Sequence, residues 1–273
     1  MSHRNDALTI LKQTSRTFYI PISGLPPGLL EAVASGYLCM RAIDEIEDHP
    51  TLANPIKVEM LQAISQVLQS GVNSFSNQDF RPALGSYANQ VPEVCQRLGE
   101  WASYAPAEIA PRVWEATATM ADRMAYWAAH NWQVQTEQDL DRYTFSVAGS
   151  VGLLLSDLWA WYDGTKTDRC QAIGFGRGLQ AVNILRNHQE DLQRGVTFFP
   201  DGWVPSDLEA YARRNLRLAD RYTEALPVGP AKDFCRLPLA LAHATLNAMG
   251  HGLPKLSRSQ VMAVVAQVMG LPA

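Results

Sequence analysis

Strand signals are scarce in this sequence: few short alternating apolar runs are bounded by turns, which argues against sheet-based folds. A basic excess is also missing. With 23 Lys and Arg against 27 Asp and Glu, the net charge of -4 provides no cationic face for phosphodiester backbones, so no nucleic acid is expected as a partner. The four cysteines, Cys39, Cys95, Cys170 and Cys235, are spread widely and form no C-x-x-C pair, which fits a reducing compartment best. The opening MSHRNDALTILKQ lacks the unbroken apolar stretch of a signal peptide, and a cytoplasmic location is the expectation. No segment approaches the roughly 20 uncharged apolar residues of a membrane span. The tail Val261 to Leu271 is apolar enough to touch a membrane surface, so that any membrane contact is peripheral at most, but a last core helix is the expected reading.

What is present is helical periodicity. Apolar residues recur at i, i+3 and i+4 from end to end, so the fold class is all-α, with 273 residues expected to form a single domain, 1–273, or two closely fused halves. The spacing predicts helices over 26–47, 55–71, 89–103, 107–133, 137–162, 168–193, 205–225, 229–250 and 258–269, punctuated by Pro and Gly, including Pro50, Pro106, Gly164, Pro200, Pro227 and Pro254. Pro238 falls inside one of them and is expected to kink it or end a turn. Seven tryptophans read as core or as cavity wall.

Two polar stripes stand out. Tyr37, Arg41, Asp44 and Asp48 follow at intervals of four, three and four, which puts them on one helical face. With Glu45 and Glu47 this stripe also fits a solvated surface, but the flanks in GYLCMRAIDEIED are apolar. Gln180, Asn183, Asn187 and Asp191 follow at three, four and four, interleaved with Ala181, Val182, Ile184 and Leu185. Carboxylate and amide oxygens are hard ligands suited to Mg²⁺, which commonly bridges protein carboxylates to substrate phosphates. Arg16, Arg41, Arg186, Lys255 and Arg258 are candidate cationic contacts to a diphosphate, although each also fits a surface charge. Gly174-Phe-Gly176-Arg-Gly178 follows no strand and reads as close packing at a helix start rather than a dinucleotide loop. His130, His188, His243 and His251 show no transition-metal pairing.

Together these segments resemble the squalene/phytoene synthase family of head-to-head prenyl transferases. Ser15-Arg16-Thr17-Phe18 resembles its S-R-S-F, and Tyr37 through Asp48 its Y-L-x-x-R-A-x-D-x-x-E-D. Tyr143 with Val147 to Gly152 is similar to Y-x-x-x-V-A-G-x-V-G. Gln180 to Asp191, followed by Arg194-Gly195 and Phe199-Pro200, resembles the second acidic motif. Phe234-Cys235, Pro238 and Ala242 to Leu246 are similar to a squalene synthase segment, and Lys255-Leu256-Ser257-Arg258 to the late basic motif. The resemblance implies an isoprenoid synthase helical bundle around a central cavity with two facing metal-binding helices. It implies Mg²⁺ at Asp44, Asp48, Asn187 and Asp191, with diphosphate at Arg16, Tyr37, Arg41, Gln180, Asn183, Arg186, Lys255 and Arg258. Tyr143 is implied near the reacting carbocation, and the catalytic set is Tyr143, Asp44, Asp48 and Asp191.

Two departures qualify that expectation. Asn187 stands where the family's second motif begins with aspartate, and it brings no charge to the metal. Ser146 stands where squalene synthases often carry tyrosine. The expected function is Mg²⁺-dependent ionisation of an allylic prenyl diphosphate, farnesyl diphosphate by default, followed by condensation with a second prenyl diphosphate. The alternatives are a one-diphosphate enzyme that cyclises or hydrolyses its substrate or passes the prenyl group to an aromatic acceptor, and a degenerate isoprenoid-binding protein. NADPH is a family possibility for which no sequence motif speaks.

Overall fold

A computed structural model describes residues 3–193, 195–253 and 255–270, without the side chains of His3, Arg4 and Arg16. Every regular element among them is helical. Contacts divide the chain into two compact units, one running up to Trp132 with the addition of Ala160–Gly164, the other comprising Gln133–Trp159 and the residues from Thr165 onward.

In the first unit come α1 (His3–Thr14), α2 (Arg16–Ser23), α3 (Leu29–Glu47), α4 (Asn54–Leu68), α5 (Asn77–Leu84), α6 (Glu93–Gln96), α7 (Leu98–Ala102) and α8 (Ala110–Ala129). Its centre is α3, against which α1, α4, α6, α7 and α8 pack. Leu29, Leu30, Leu38, Ile43 and Ile46 are almost wholly buried there, each contributing at most about 1.5–3 kcal/mol of transfer free energy. Three hydrogen bonds tie neighbours in place: Ser35 Oγ donates to the Trp101 carbonyl at 2.6 Å, Cys95 Sγ to that of Ala42 at 3.4 Å, and Trp114 Nε1 to that of Ala102 at 2.7 Å. A Cβ on Gly99 would come within 2.1 Å of the Ser76 backbone, so glycine permits this close approach.

The second unit holds α9 (Glu137–Thr144), a π-turn (Phe145–Gly149), most of α10 (Ser150–Asp163), α11 (Arg169–Gln193), α12 (Pro205–Ala225), α13 (Pro230–Gly250) and α14 (Arg258–Met269). Here α11 is central, packed on α9, the π-turn, α12 and α13. Its glycines explain the packing. A Cβ on Gly176 would lie 2.1 Å from the Ala148 carbonyl oxygen in the π-turn, and one on Gly178 would crowd Leu216 and the Asn215 backbone of α12. Gly-Phe-Gly-Arg-Gly is therefore a packing surface, as read from sequence, although it lies inside α11 rather than at its start.

The predicted helices over 168–193, 205–225, 229–250 and 258–269 match α11 to α14 within a residue at each end. Pro238 does not end α13, which runs on to Gly250. The segment 89–103 is two short helices rather than one. The predicted helix over 137–162 is interrupted by the π-turn, where Ser146 and Ser150 hydroxyls donate to the carbonyls of Arg142 (2.8 Å) and Ser146 (3.2 Å) four residues back. Sequence reading missed α1, α2 and α5, the latter two carrying internal prolines, Pro21 and Pro82. The tail forms α14, but among its described residues Val265 alone is buried, which overturns its reading as a core helix. Pro254 and Leu271 lie outside the described residues. Five of the seven tryptophans, Trp101, Trp114, Trp127, Trp132 and Trp159, are core.

Candidate active site

On α3 the predicted stripe is the open strip of a helix otherwise buried. Tyr37, Arg41, Asp44 and Glu45 are half-buried and Asp48 is exposed, while the residues between them are closed off. Arg41 donates to Asp44 at 3.0 Å and also binds Glu45, a pairing that holds its guanidinium charged against the cost of burial. Ser15 caps α2 by accepting from the Phe18 N–H at 3.1 Å, and the Phe18 ring lies 5.8 Å from that of Tyr37. Burial raises the Tyr37 pKa above the ordinary phenol value, against the opposing influence of the Ser15 and Thr14 side chains and the Arg41 charge. The S-R-T-F segment is thus set beside the tyrosine of the first acidic motif. The side chain of Arg16 lies outside the described residues.

The end of α3 carries a carboxylate cluster. Oxygens of Asp44, Glu47 and Asp48 all lie within 4.8 Å of one another. Glu47 is not the solvated acid that its place in an acidic run suggests: it is 3% exposed, and its carboxylate accepts from the Trp132 indole N–H. Burial first, then the charges of Asp48 and Asp44, push its pKa well up, while the Trp132 bond and Lys57 oppose them. A divalent cation is the partner that relieves such crowding, and three hard oxygen donors suit Mg²⁺. The cluster therefore fits the ion that the resemblance implies.

On α11, Gln180, Asn183, Asn187 and Asp191 are half-buried in one line, with Ala181, Val182, Ile184 and Leu185 closed off between them. Arg186 caps this stripe, binding Asn183 Oδ1 and lying 3.2 Å from Asn187 Oδ1, while Asn187 Nδ2 is 3.4 Å from Asn183 Oδ1. Arg186 itself is exposed and free to turn away, which metal binding at these oxygens requires. Lys255 pairs with Glu190 on the same helix, and Arg258 begins α14.

Tyr143 is 5% exposed and stacked on Phe198, with ring centroids 4.4 Å apart at 16°. Next to it, Thr144 Oγ1 lies 3.0 Å from the Tyr211 hydroxyl, which donates to Asp141 Oδ1 at 2.8 Å, and Arg177 pairs with the same carboxylate at 3.4 Å. This partly buried network fixes the last turn of α9, and with it the direction of Tyr143.

The family model described as "Squalene/phytoene synthase" matches residues 11–207. The chain belongs to the squalene/phytoene synthase family. Squalene synthase of Schizosaccharomyces pombe is 30% identical over 282 residues, covering 88% of this chain and 58% of that protein. The Homo sapiens squalene synthase is 28% identical over 299 residues, covering 96% and 69%. The chain spans only 53–58% of the length of the fungal relatives it matches. A solved structure of TcSQS with a ligand superposes with a TM-score of 0.78 at 21% identity, over 96% of this chain and 85% of that one. A dehydrosqualene synthase in complex with a ligand gives 0.63 at 19%, over 98% and 95%. At these identities the likeness establishes the squalene synthase fold.

Within that family frame, the sequence reading named Asp44 and Asp48 but left out Glu47, the third member of the cluster, as well as its partners Trp132 and Lys57. The glutamate was visible as the penultimate residue of D-x-x-E-D. Its burial was not, because the indole that holds it is 85 residues away in sequence.

Proposed function

We propose that the protein is a Mg²⁺-dependent prenyl transferase that ionises an allylic prenyl diphosphate, farnesyl diphosphate by default, and joins it head to head to a second. The observation that carries this reading is the cluster of Asp44, Glu47 and Asp48 oxygens on a buried helix of a squalene/phytoene synthase family chain. Asp44, Glu47 and Asp48 on α3, with Asn187 and Asp191 on α11, would hold the metal. When bound, Mg²⁺ neutralises the diphosphate as it leaves with the electron pair of the broken C–O bond. Arg41 and Arg186 are the cations best placed on the two polar stripes to contact phosphate oxygens, each by releasing its present carboxylate or amide partner. Tyr143, buried against Phe198, shields the cation from water. C1 of that cation alkylates the second substrate's double bond, and loss of a proton closes a cyclopropane.

A second reading has its own support. Asn187 brings no charge, and Arg186 lies across the Asn183 and Asn187 oxygens, so metal affinity on α11 is lowered relative to an aspartate motif. A site weakened there favours a one-diphosphate enzyme that transfers the prenyl group to an aromatic acceptor, cyclises it or hydrolyses it. Incubation with radiolabelled farnesyl and shorter diphosphates, in Mg²⁺ with and without NADPH, separates the readings by product. A C30 product supports condensation; farnesol or a cyclic C15 product alone would exclude it.

A further inference from the structure

The first unit contains a buried device behind the acidic cluster that the proposed reaction does not use directly. Trp132 follows α8 with φ at +51°, and Asn131 before it has φ at +52°. Consecutive left-handed residues without glycine are rare, rarer still for a bulky indole, and strain of this kind is retained where surrounding contacts over-determine it. Three contacts hold it here. Trp132 N–H donates to the Trp127 carbonyl at 3.0 Å, Asn54 Nδ2 donates to Asn131 Oδ1 at 2.8 Å, and the indole N–H donates to Glu47 Oε1. Lys57, 5% exposed, lies 5.1 Å over the indole ring and donates to the Glu47 backbone carbonyl at 2.6 Å, placing a cation at the C-terminal end of α3.

From this geometry we infer that Trp132 is a positioning residue: its indole, aimed by the Asn131–Trp132 backbone and the Asn54 clamp, orients the Glu47 carboxylate so that the α3 cluster accepts a divalent cation. The inference rests on the proposed metal-dependent reading. Without the indole, the Glu47 carboxylate keeps its burial and its acidic neighbours but loses the donor that selects its rotamer. The three oxygens then no longer share one position for an ion. Lys57 supplies the fixed positive charge that lets the cluster persist without one.

The test measures Mn²⁺ binding to the folded protein by electron paramagnetic resonance, with no substrate, alongside kcat and KM for farnesyl diphosphate. Trp132→Phe keeps a ring over Lys57 and removes the donor. Loss of an outer hydrogen-bond partner of a metal ligand typically weakens affinity by roughly ten- to a hundredfold, so the Mn²⁺ dissociation constant is expected to rise at least about tenfold, with kcat falling more than KM rises. Asn54→Ala, which frees Asn131 without touching the cluster, is expected to shift it a few-fold the same way. It decides the matter alone where Trp132→Phe does not fold. Lowered melting temperatures with parental Mn²⁺ affinity in both variants overturn the inference and leave the proposed reaction standing. A parent that binds no Mn²⁺, or an Asp44→Asn variant that binds it as tightly as the parent, overturns the metal reading and this inference with it.

Discussion

Asp44 and Asp48 were legible because an interval of four on a helix is a statement about one face, although the apolar flanks suggested an inward-looking face and that face is instead the open strip of α3, with Asp48 exposed. What spacing does not reveal is which neighbours close over a side chain. Glu47 sits one position before Asp48, yet it is buried because Trp132 comes to it from 85 residues away and Lys57 from the next helix. The thiols follow the same logic. Cys39, Cys95 and Cys235 are buried and Cys170 is exposed. Burial raises the Cys39 pKa to about 12 and pushes Cys95 and Cys235 up as well. An aromatic disulfide reagent at pH 8 is expected to titrate Cys170 rapidly in the native protein and all four thiols in denaturant; rapid reaction of a second native thiol would contradict this burial. Because unfolded thiols ionise near pH 8.5 and Cys39 stays protonated to about 12, this group's share of stability is present below about pH 8.5 and is lost as pH rises toward 12.

At the scale of elements, helices with strong punctuation could be read closely. Pro205 and Pro230 stand at the first helical positions of α12 and α13, where a missing N–H costs nothing, and those starts were found within a residue. The π-turn was hidden, since it packs against α11, where a Cβ on Gly149 would meet Ile173, a contact that local periodicity does not show. That contact yields a graded prediction. Gly176→Ala sets a methyl against the backbone of Ala148, which has nowhere to go, and is expected to cost about 1–3 kcal/mol in urea denaturation. Gly149→Ala, on the other side of the same contact, meets the side-chain ends of Phe145 and Ile173 at 3.0 and 3.3 Å, which can shift, and should cost less. Equal costs would contradict this account of the contact.

For the whole molecule, all-α periodicity and a squalene/phytoene synthase resemblance were both visible in the sequence, and helix content, family match and structural likeness agree with them. The division of contacts into two units, with Ala160–Gly164 counted in the first, was open in the sequence as one domain or two fused halves. If carboxylates of α3 bind a metal-diphosphate complex, Mg²⁺ with inorganic diphosphate stabilises the folded chain by about 2.7 kcal/mol at a hundredfold excess over Kd, read as a raised melting temperature, and either component alone does less. The central claim is that Asp44 holds the metal that activates a prenyl diphosphate. Release of diphosphate from farnesyl diphosphate in Mg²⁺ tests it most directly, comparing the parent with Asp44→Asn. Loss of a charge that holds the activating ion should lower the rate at least about a hundredfold, roughly 2.7 kcal/mol or more, and chelation of Mg²⁺ should abolish release from the parent. Absent release from the parent, or an Asp44→Asn rate equal to it, would contradict the account.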